Sequence, residues 1–470
     1  MSIFSDNHFK INRKQNKALV AMCLLFVTGV GCQNKAPKSE EAKISLLTLD
    51  PGHFHAALIQ KSMYNEISPV VHVYAPEGPE LEAHLKLIEK YNSRADDPTA
   101  WQEVVYKGED YLQKMLDEKK GNVVILAGNN QKKTDYIQKS VAAGINVLSD
   151  KPMAIDAKGF EQLEKAFESA EKSNVLLYDI MTERYEITNM LQKELSLQQE
   201  VFGTLEKGTA EKPAITKESV HHFFKYVSGA PLIRPQWYFD VEQEGNGLVD
   251  VTTHLVDMIQ WECFADQHID YKKDVNMLSA KRWATLISPS QFKKSTGADS
   301  YPAFLQKDVK DSILNVYSNG EMNYTLKGVH AKVSVIWNFE APEGTGDTHY
   351  SVMHGTKASL IIKQGAAQQY KPTLYIEPQT GWDKSYETVV KQTMEKLTKT
   401  YPGLELKAYK AGWEVIIPVK YNVGHEAHFA EVAKKYFGYL KERKLPDWEK
   451  AALLSKYYTT TKALEFALKN

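Results

Sequence analysis

From Ile44 to about Tyr178, short apolar runs alternate with stretches of helical periodicity. The runs Ser45–Leu49, Val70–Tyr74, Val123–Ala127, Asn146–Ser149 and Val175–Tyr178 read as strands, and Leu81–Tyr91, Asp110–Glu118, Lys132–Ala143 and Ala157–Lys172 read as the helices between them. Strands that alternate with helices in this way form a doubly wound parallel sheet, which binds ligands at the carboxyl ends of its strands. After about residue 183 the rhythm changes. Segments Asp311–Tyr317, Glu321–Lys327, Lys332–Phe339, Ser359–Ile362 and Pro372–Glu377 follow one another with only turns between, which predicts a largely antiparallel sheet. Helical periodicity returns over His425–Arg443 and Asp447–Leu468, and no internal repeat is present.

One block, Gly245 to Glu262, carries unusual polar groups on an apolar background. At about 100° per residue, Asp250, Thr253, His254 and Asp257 share one side of a helix, while Leu248, Val249, Val251, Leu255, Val256, Met258 and Ile259 share the other. The spacing alone leaves three readings open. Asp250 and His254 are an acid–base pair, or a helix-stabilising i,i+4 pair worth roughly 0.2–0.5 kcal/mol, or part of a capping cluster around a satisfied core histidine. A metal site is not expected here, because the flanking His or Cys spacing that makes one specific is missing.

The N-terminus changes the expected location. Lys10, Arg13, Lys14 and Lys17 precede an apolar run from Ala18 to Gly31 that ends at Cys32. The run is shorter than the roughly 20 residues of a membrane span, so it reads as the apolar region of a secretory signal. Gly29 and Gly31 before Cys32 indicate lipoprotein processing with Cys32 acylated, although Gly29 stands where Leu is usual. A plain cleaved signal is the alternative. The expected organisation is therefore a signal over 1–32, a polar tether over 33–43, the parallel-sheet domain over 44–182 and a second domain over 183–470. The location is periplasmic or outer-membrane-associated, held by the lipid alone. Once the signal and Cys32 are set aside, only Cys263 remains, so stability must come from a packed core rather than a disulfide framework. A net charge of −1 with no basic stripe excludes a nucleic-acid footprint.

The first strand runs into Leu49-Asp50-Pro51-Gly52-His53-Phe54-His55, where a dinucleotide-binding sheet places its phosphate loop. Only Gly52 supplies a residue without Cβ, so GxGxxG is absent, and no acid except Glu77 stands near the ribose position after the second strand. Elsewhere, His425 and His428 read as helix-start packing or capping, His221 and His222 as lining for the substrate side of the sheet, and Tyr185 as linker packing.

Several segments, in order, resemble the Gfo/Idh/MocA oxidoreductases. Val124-Ile125-Leu126-Ala127-Gly128-Asn129-Asn130 followed by a helix, then Ala143-Gly144-Ile145-Asn146-Val147-Leu148-Ser149-Asp150-Lys151-Pro152, resembles the family's strand and EKP region. Arg234-Pro235-Gln236-Trp237-Tyr238-Phe239-Asp240 leads into the Gly245 block as the family's W–x–x–D leads into its Gly-rich D…H segment, and His354-Gly355-Thr356-Lys357-Ala358-Ser359-Leu360 resembles its GTkGsL strand pair. The resemblance implies an α/β fold, with an N-terminal Rossmann doubly wound sheet and a C-terminal α/β domain carrying an open, largely antiparallel sheet. It also implies catalytic roles for Lys151, Asp250 and His254. Cofactor contacts fall to Gly52, His53, Asn129, Asn130 and Lys151, with turn geometry or helix capping as the alternative for Gly52 and the two Asn. Asp150 in place of Glu, Asn246 in place of Gly and the Gly-poor loop depart from the pattern.

The residue types suit oxidation of a secondary alcohol. His254 is a base for the hydroxyl proton, Lys151 stabilises charge on the reacting oxygen, and Asp250 orients either one. Asp257, one turn beyond His254, is read as structural, with support of the catalytic groups from behind as the alternative. With Trp237 and Tyr238 available to stack on a sugar ring, the expected substrate is a carbohydrate or cyclic polyol bound near Lys151 and His254. The expected cofactor is NAD or NADP, with NAD preferred and tightly retained, since an exported enzyme meets no free nicotinamide pool. Two other functions stay open: a redox-assisted glycoside lyase or hydrolase, and a non-catalytic carbohydrate-binding lipoprotein. A homo-oligomer through the C-terminal sheet is also left open.

Overall fold

The computed structural model describes residues 44–227, 230–379, 381 and 383–469, so the apolar run, Cys32 and the tether lie outside the described residues. The first sheet is built from β1 (Leu46–Leu49), β2 (Val70–Ala75), β3 (Gln102–Lys107), β4 (Val123–Leu126), β5 (Asn146–Asp150) and β6 (Leu177–Ile180). Its order is β3-β2-β1-β4-β5-β6 and every pairing is parallel. Strands β1, β4 and β6 are buried throughout because helices cover both faces, and that is why they read as continuous apolar runs. The helices are α1 (His55–Leu58), α2 (Pro79–Ser93), α3 (Tyr111–Glu118), α4 (Asn130–Ala142) and α5 (Ala157–Lys172).

Two differences from the sequence reading concern this sheet. Strand β3 was not expected; it is an edge strand whose Gln102, Glu103 and Lys107 mask any apolar run. The last strand begins at Leu177 rather than Val175, because Ala170 and Val175 close the turn after α5 through a backbone hydrogen bond.

Beyond a 3-10 turn at Thr182–Tyr185 come α6 (Ile187–Ser196), β7 (Ile215–Phe224) and a short ribbon of β8 (Tyr226–Val227) and β9 (Ala230–Pro231). Helices α7 (Thr252–Cys263) and α8 (Tyr271–Asp274) lead to β10 (Val275–Ile287), α9 (Pro289–Thr296), β11 (Val309–Lys310), β12 (Ile313–Leu326), β13 (Val329–Glu340), β14 (Thr348–His354), β15 (Ala358–Gln364) and β16 (Thr373–Pro378). Helix α10 (Lys384–Thr400), β17 (Glu405–Tyr409), β18 (Gly412–Ile416), α11 (His425–Glu442) and α12 (Asp447–Lys469) complete the chain. The second sheet runs β10-β12-β13-β7-β14-β15-β16-β18-β17, with β11 beside β12; only β7 and β13 pair in parallel. The expected strands 311–317 and 321–327 are a single strand, β12, which continues through Ser318, Asn319 and Gly320. Asn319 makes this continuity affordable: its side chain bonds the Trp283 carbonyl, Thr285 Oγ1 and the Trp337 amide across both neighbouring strands.

The two terminal helices return to the first sheet. Phe429, Val432, Tyr436 and Phe437 of α11 and Leu453 and Tyr457 of α12 join Leu126, Leu148 and Tyr178 in one buried cluster. Helix α7 packs Leu255, Val256 and Ile259 against Phe223, Val333 and Val335 of the large sheet. Lys151, following β5, and His254, on α7, are thereby brought to one cavity.

Candidate active site

A cavity of about 990 Å³ lies where the carboxyl ends of β1, β4 and β5 face α7, the large sheet and the start of α11. With strand order 3-2-1-4-5-6, this edge includes the switch point between β1 and β4, where a doubly wound sheet binds its ligand. Its wall includes His53, Lys151, Trp237, Asp250, His254 and His425.

The expected continuous helix over the Gly245 block begins only at Thr252. Residues 246–251 form turns, because the segment must enter between the two sheets. Gly245 has φ +110°, and a Cβ on Gly247 would lie 2.1 Å from the Ser318 carbonyl oxygen of β12. Asp250 is thus held in the turn before α7, with its amide donating to the Asn246 carbonyl. Gly247→Ala is expected to cost about 1–3 kcal/mol, since backbone rather than a flexible side chain must move; urea unfolding that matches wild type would show that the loop yields freely.

Asp250 and His254 do not bond each other as a helix pair. Asp250 Oδ1 instead accepts from Lys151 Nζ at 2.5 Å, joining residues 99 positions apart. Lys151 follows directly on β5, and its peptide to Pro152 is cis. Burial opposes the Lys151 ammonium, but Asp250, Asp150 and Glu244 outweigh it and hold its pKa above the ordinary lysine value. His254 Nδ1 is buried without a hydrogen-bond partner. Burial, then the charges of Lys151 and His425, push the imidazole well below its ordinary pKa, so it is neutral and able to accept a proton. Burial, with the charge of Asp250 adding, holds half-buried Glu244 well above the ordinary carboxyl range.

Asp257 leaves the cavity entirely. It is fully buried beneath α7, where Arg184 grips it through two bonds of 2.7 Å and Lys456 through a third at 2.8 Å. Arg184 also holds Glu449, and Lys456 holds Asp179. These ions tie β6, α7 and α12 together.

Of the residues expected at a cofactor, His53, Asn130 and Lys151 line the cavity. Gly52 instead lies beneath Trp237 and Gly128, with both about 3.4 Å from where its Cβ would be. Asn129 caps α4 by accepting from the Gln131 amide and gives its own amide to Gln243. Asn130 donates to Glu244, so both Asn residues also pin the 240–244 turn. The expected substrate contacts Trp237 and Tyr238 both line the cavity; Tyr238 is also packed in the core, with its ring under the Arg234 guanidinium at 4.2 Å and beside Phe223 and Trp337.

The sequence reading missed three wall residues. His55 follows His53 by two positions and bonds Asp150 at 2.9 Å. His425 does not cap α11; its Nε2 meets Thr182 Oγ1 at 3.0 Å and faces Glu183 at 3.7 Å. Burial, with Glu186 adding, raises the Glu183 pKa to about 7. The His-x-His spacing was visible in the sequence, whereas nothing local distinguishes Glu183 or His425.

The residues fit a dinucleotide at the nicotinamide half of the crevice, where Lys151 and His254 line the cavity together with Gly128 and Asn130. The phosphate half is built differently. Helix α1 is a single turn, and Asp50, at φ +46°, gives its carboxylate to Tyr136 at 2.7 Å and Lys132 at 3.1 Å.

A doubly wound nucleotide-binding sheet joined to an open-sheet domain, with a Lys, an acid and a His meeting between them, defines a dinucleotide-dependent oxidoreductase. The chain belongs to the Gfo/Idh/MocA oxidoreductases: residues 51–179 match "Oxidoreductase family, NAD-binding Rossmann fold" and residues 191–468 match "Putative oxidoreductase C terminal domain". It is 57% identical to a "putative oxidoreductase" from Parabacteroides merdae, over 91% of this chain and 98% of that one, with a TM-score of 0.89. At fold level it is also similar to a 3-ketoreductase from Actinomadura kijaniata solved with NADP (13% identity, 89% and 96% coverage, TM-score 0.52). A levoglucosan dehydrogenase solved with NADH and levoglucosan shares the fold too (13%, 91% and 97%, TM-score 0.56). No curated protein matches the chain. The protein is an NAD(P)-binding oxidoreductase.

Proposed function

We propose that the protein oxidises or reduces a secondary hydroxyl or keto group on a sugar, glycoside or cyclic polyol, using Lys151, Asp250 and His254. The observation that carries this reading is the Lys151–Asp250 ion pair at 2.5 Å in the cavity that His254 also lines. Asn130, Lys151 and the His53 loop would hold the nicotinamide of a bound dinucleotide, which would supply the hydride acceptor. Lys151 donates a hydrogen bond to the reacting oxygen and stabilises its developing negative charge. His254 takes the hydroxyl proton, which a neutral imidazole can do without first losing one of its own. Asp250 fixes the ammonium and balances it. The cavity accommodates a ring substrate beside Trp237, and the sugar-active levoglucosan dehydrogenase and 3-ketoreductase share the fold.

The apolar run Ala18–Gly31 before Cys32 supports an exported lipoprotein. In that location the cofactor is retained through turnover, with NAD preferred. Native mass spectrometry of the purified protein is expected to show one dinucleotide per chain. Protein that neither retains nor binds NAD or NADP overturns the reading.

Glu183 and His425 favour a second reading on the same site, a redox-assisted glycoside lyase or hydrolase. There, a base removes the proton beside a transient substrate ketone and the aglycone leaves. Because Glu183 has its pKa raised to about 7, it acts as a base only when deprotonated. Deuterium wash-in beside the oxidised carbon should therefore rise through about pH 7 and lose that dependence in Glu183→Gln. The alcohol-oxidation step, relying on His254 that is already neutral, should stay flat from pH 6 to 8. Stable keto product without wash-in rejects the second reading.

A further inference from the structure

We propose that His53, His55 and Asp150 form a binding site for one divalent transition-metal ion on the cavity wall beside Lys151. His53 lies in the loop after β1, His55 opens α1 and Asp150 ends β5, and one donor atom of each lies within 4.8 Å of the others. Asp150 Oδ2 is 2.9 Å from His55 Nδ1 and 3.5 Å from His53 Nδ1. Donors held about 2.1 Å from a common ion at octahedral or tetrahedral angles are separated by about 3.0–3.4 Å, so these two spacings are those of adjacent corners of a coordination shell. Two imidazoles and one carboxylate are a ligand set that zinc and ferrous iron accept while keeping positions open for other oxygens.

Two further facts separate this cluster from an ordinary buried hydrogen-bonded histidine. His53 Nδ1 makes no hydrogen bond although it is buried, because a second imidazole already occupies the oxygen nearest to it. The neighbouring ammonium, Lys133, gives its hydrogen bonds to Asn130 and the Lys151 carbonyl rather than to Asp150. Among the described residues, Asp150 is the carboxylate that meets both rings. The family pattern carries Glu in place of Asp150; the shorter side chain here meets two imidazoles. All three side chains line the cavity, so the open positions of the ion face a bound polyol or keto-sugar and take its oxygens, polarising a carbonyl as a Lewis acid does.

The test needs neither substrate nor dinucleotide, and is therefore independent of the proposed redox reaction. Full-length protein is stripped with a chelator and titrated with Co²⁺ by calorimetry and visible absorption. One ion per chain, with a spectrum of nitrogen and oxygen ligation and a rise in the thermal midpoint, is the expected result. His55→Ala and Asp150→Ala should each weaken binding at least tenfold, while His268→Ala, on the exposed surface, should leave it unchanged. If those variants do not fold, the conservative His53→Gln must weaken binding in their place. Absence of binding by wild type, retention in the cluster variants, or a thiolate charge-transfer band placing the ion on a cysteine would each overturn the proposal.

Discussion

Replacing Lys151 by Met is expected to slow cofactor reduction by about 10²–10³, the range for removing a preorganised donor from an oxygen that gains charge in the transition state. The measurement is single-turnover change in nicotinamide fluorescence with whichever sugar or polyol from a panel reduces the wild-type protein. Lys151 is held charged chiefly by Asp250 and Asp150, so its donor is present at pH 7 and its loss is not masked by titration. Asp250→Asn keeps a hydrogen-bonding group near Lys151 but removes the balancing charge, and should cost less than Lys151→Met. His254→Gln should cost about 10²–10⁴, as loss of a positioned base does. Because Lys151 and His254 act on one oxygen, the double variant should be far from additive. A Lys151→Met rate within threefold of wild type would place Lys151 outside the reacting group.

Asp257→Ala is expected to destabilise the fold by about 3–5 kcal/mol, the cost of removing one partner from a buried ion pair. Arg184 and Lys456 would lose three short bonds in a region without solvent access, and neither Glu449 nor Asp179 is placed to replace both arms of the Arg184 fork. Urea unfolding of wild type and variant measures it. Although burial opposes the Asp257 carboxylate, Arg184 and Lys456 prevail and hold its pKa far below the usual value. A group with a depressed folded pKa stabilises fully above its unfolded pKa, about 3.9, and loses that contribution as pH falls toward the folded value. The gap between wild type and Asp257→Ala should accordingly be constant from pH 5 to 8 and narrow in strong acid. A gap below 1 kcal/mol at pH 7 would show that the network contributes little net stability.

The same network explains why one helix face carries two unlike jobs. His254 and Asp257 are three residues apart, yet His254 opens on the cavity while Asp257 is sealed in by partners from the 3-10 turn after β6 and from α12. A helical wheel assigns both to the polar side and cannot separate them, because the discriminating partners are 73 and 199 residues away. The structural reading of Asp257 rested on the residue pattern, and its three buried bonds supply the reason.

Local alternation was enough to determine the parallel sheet, its helices and the change to antiparallel strands, since each strand buried on both faces must itself be apolar and each helix must repeat its apolar stripe within a few residues. Helical spacing also singled out the Asp250–His254 block, whereas Lys151-Pro152 came from the resemblance to the Gfo/Idh/MocA family. Edge strand β3 escaped because a partly solvated strand is not obliged to be apolar, and the turn before α7 was misread as helix because Gly247 is chosen by the Ser318 carbonyl of another strand. Only the tertiary structure joined Lys151 to Asp250, sank Asp257 beneath the site, and brought Glu183, His425 and the His53–His55–Asp150 cluster to one wall. Those encounters depend on strand order and on helices returning from the end of the chain, and such long-range packing leaves no period in the local sequence.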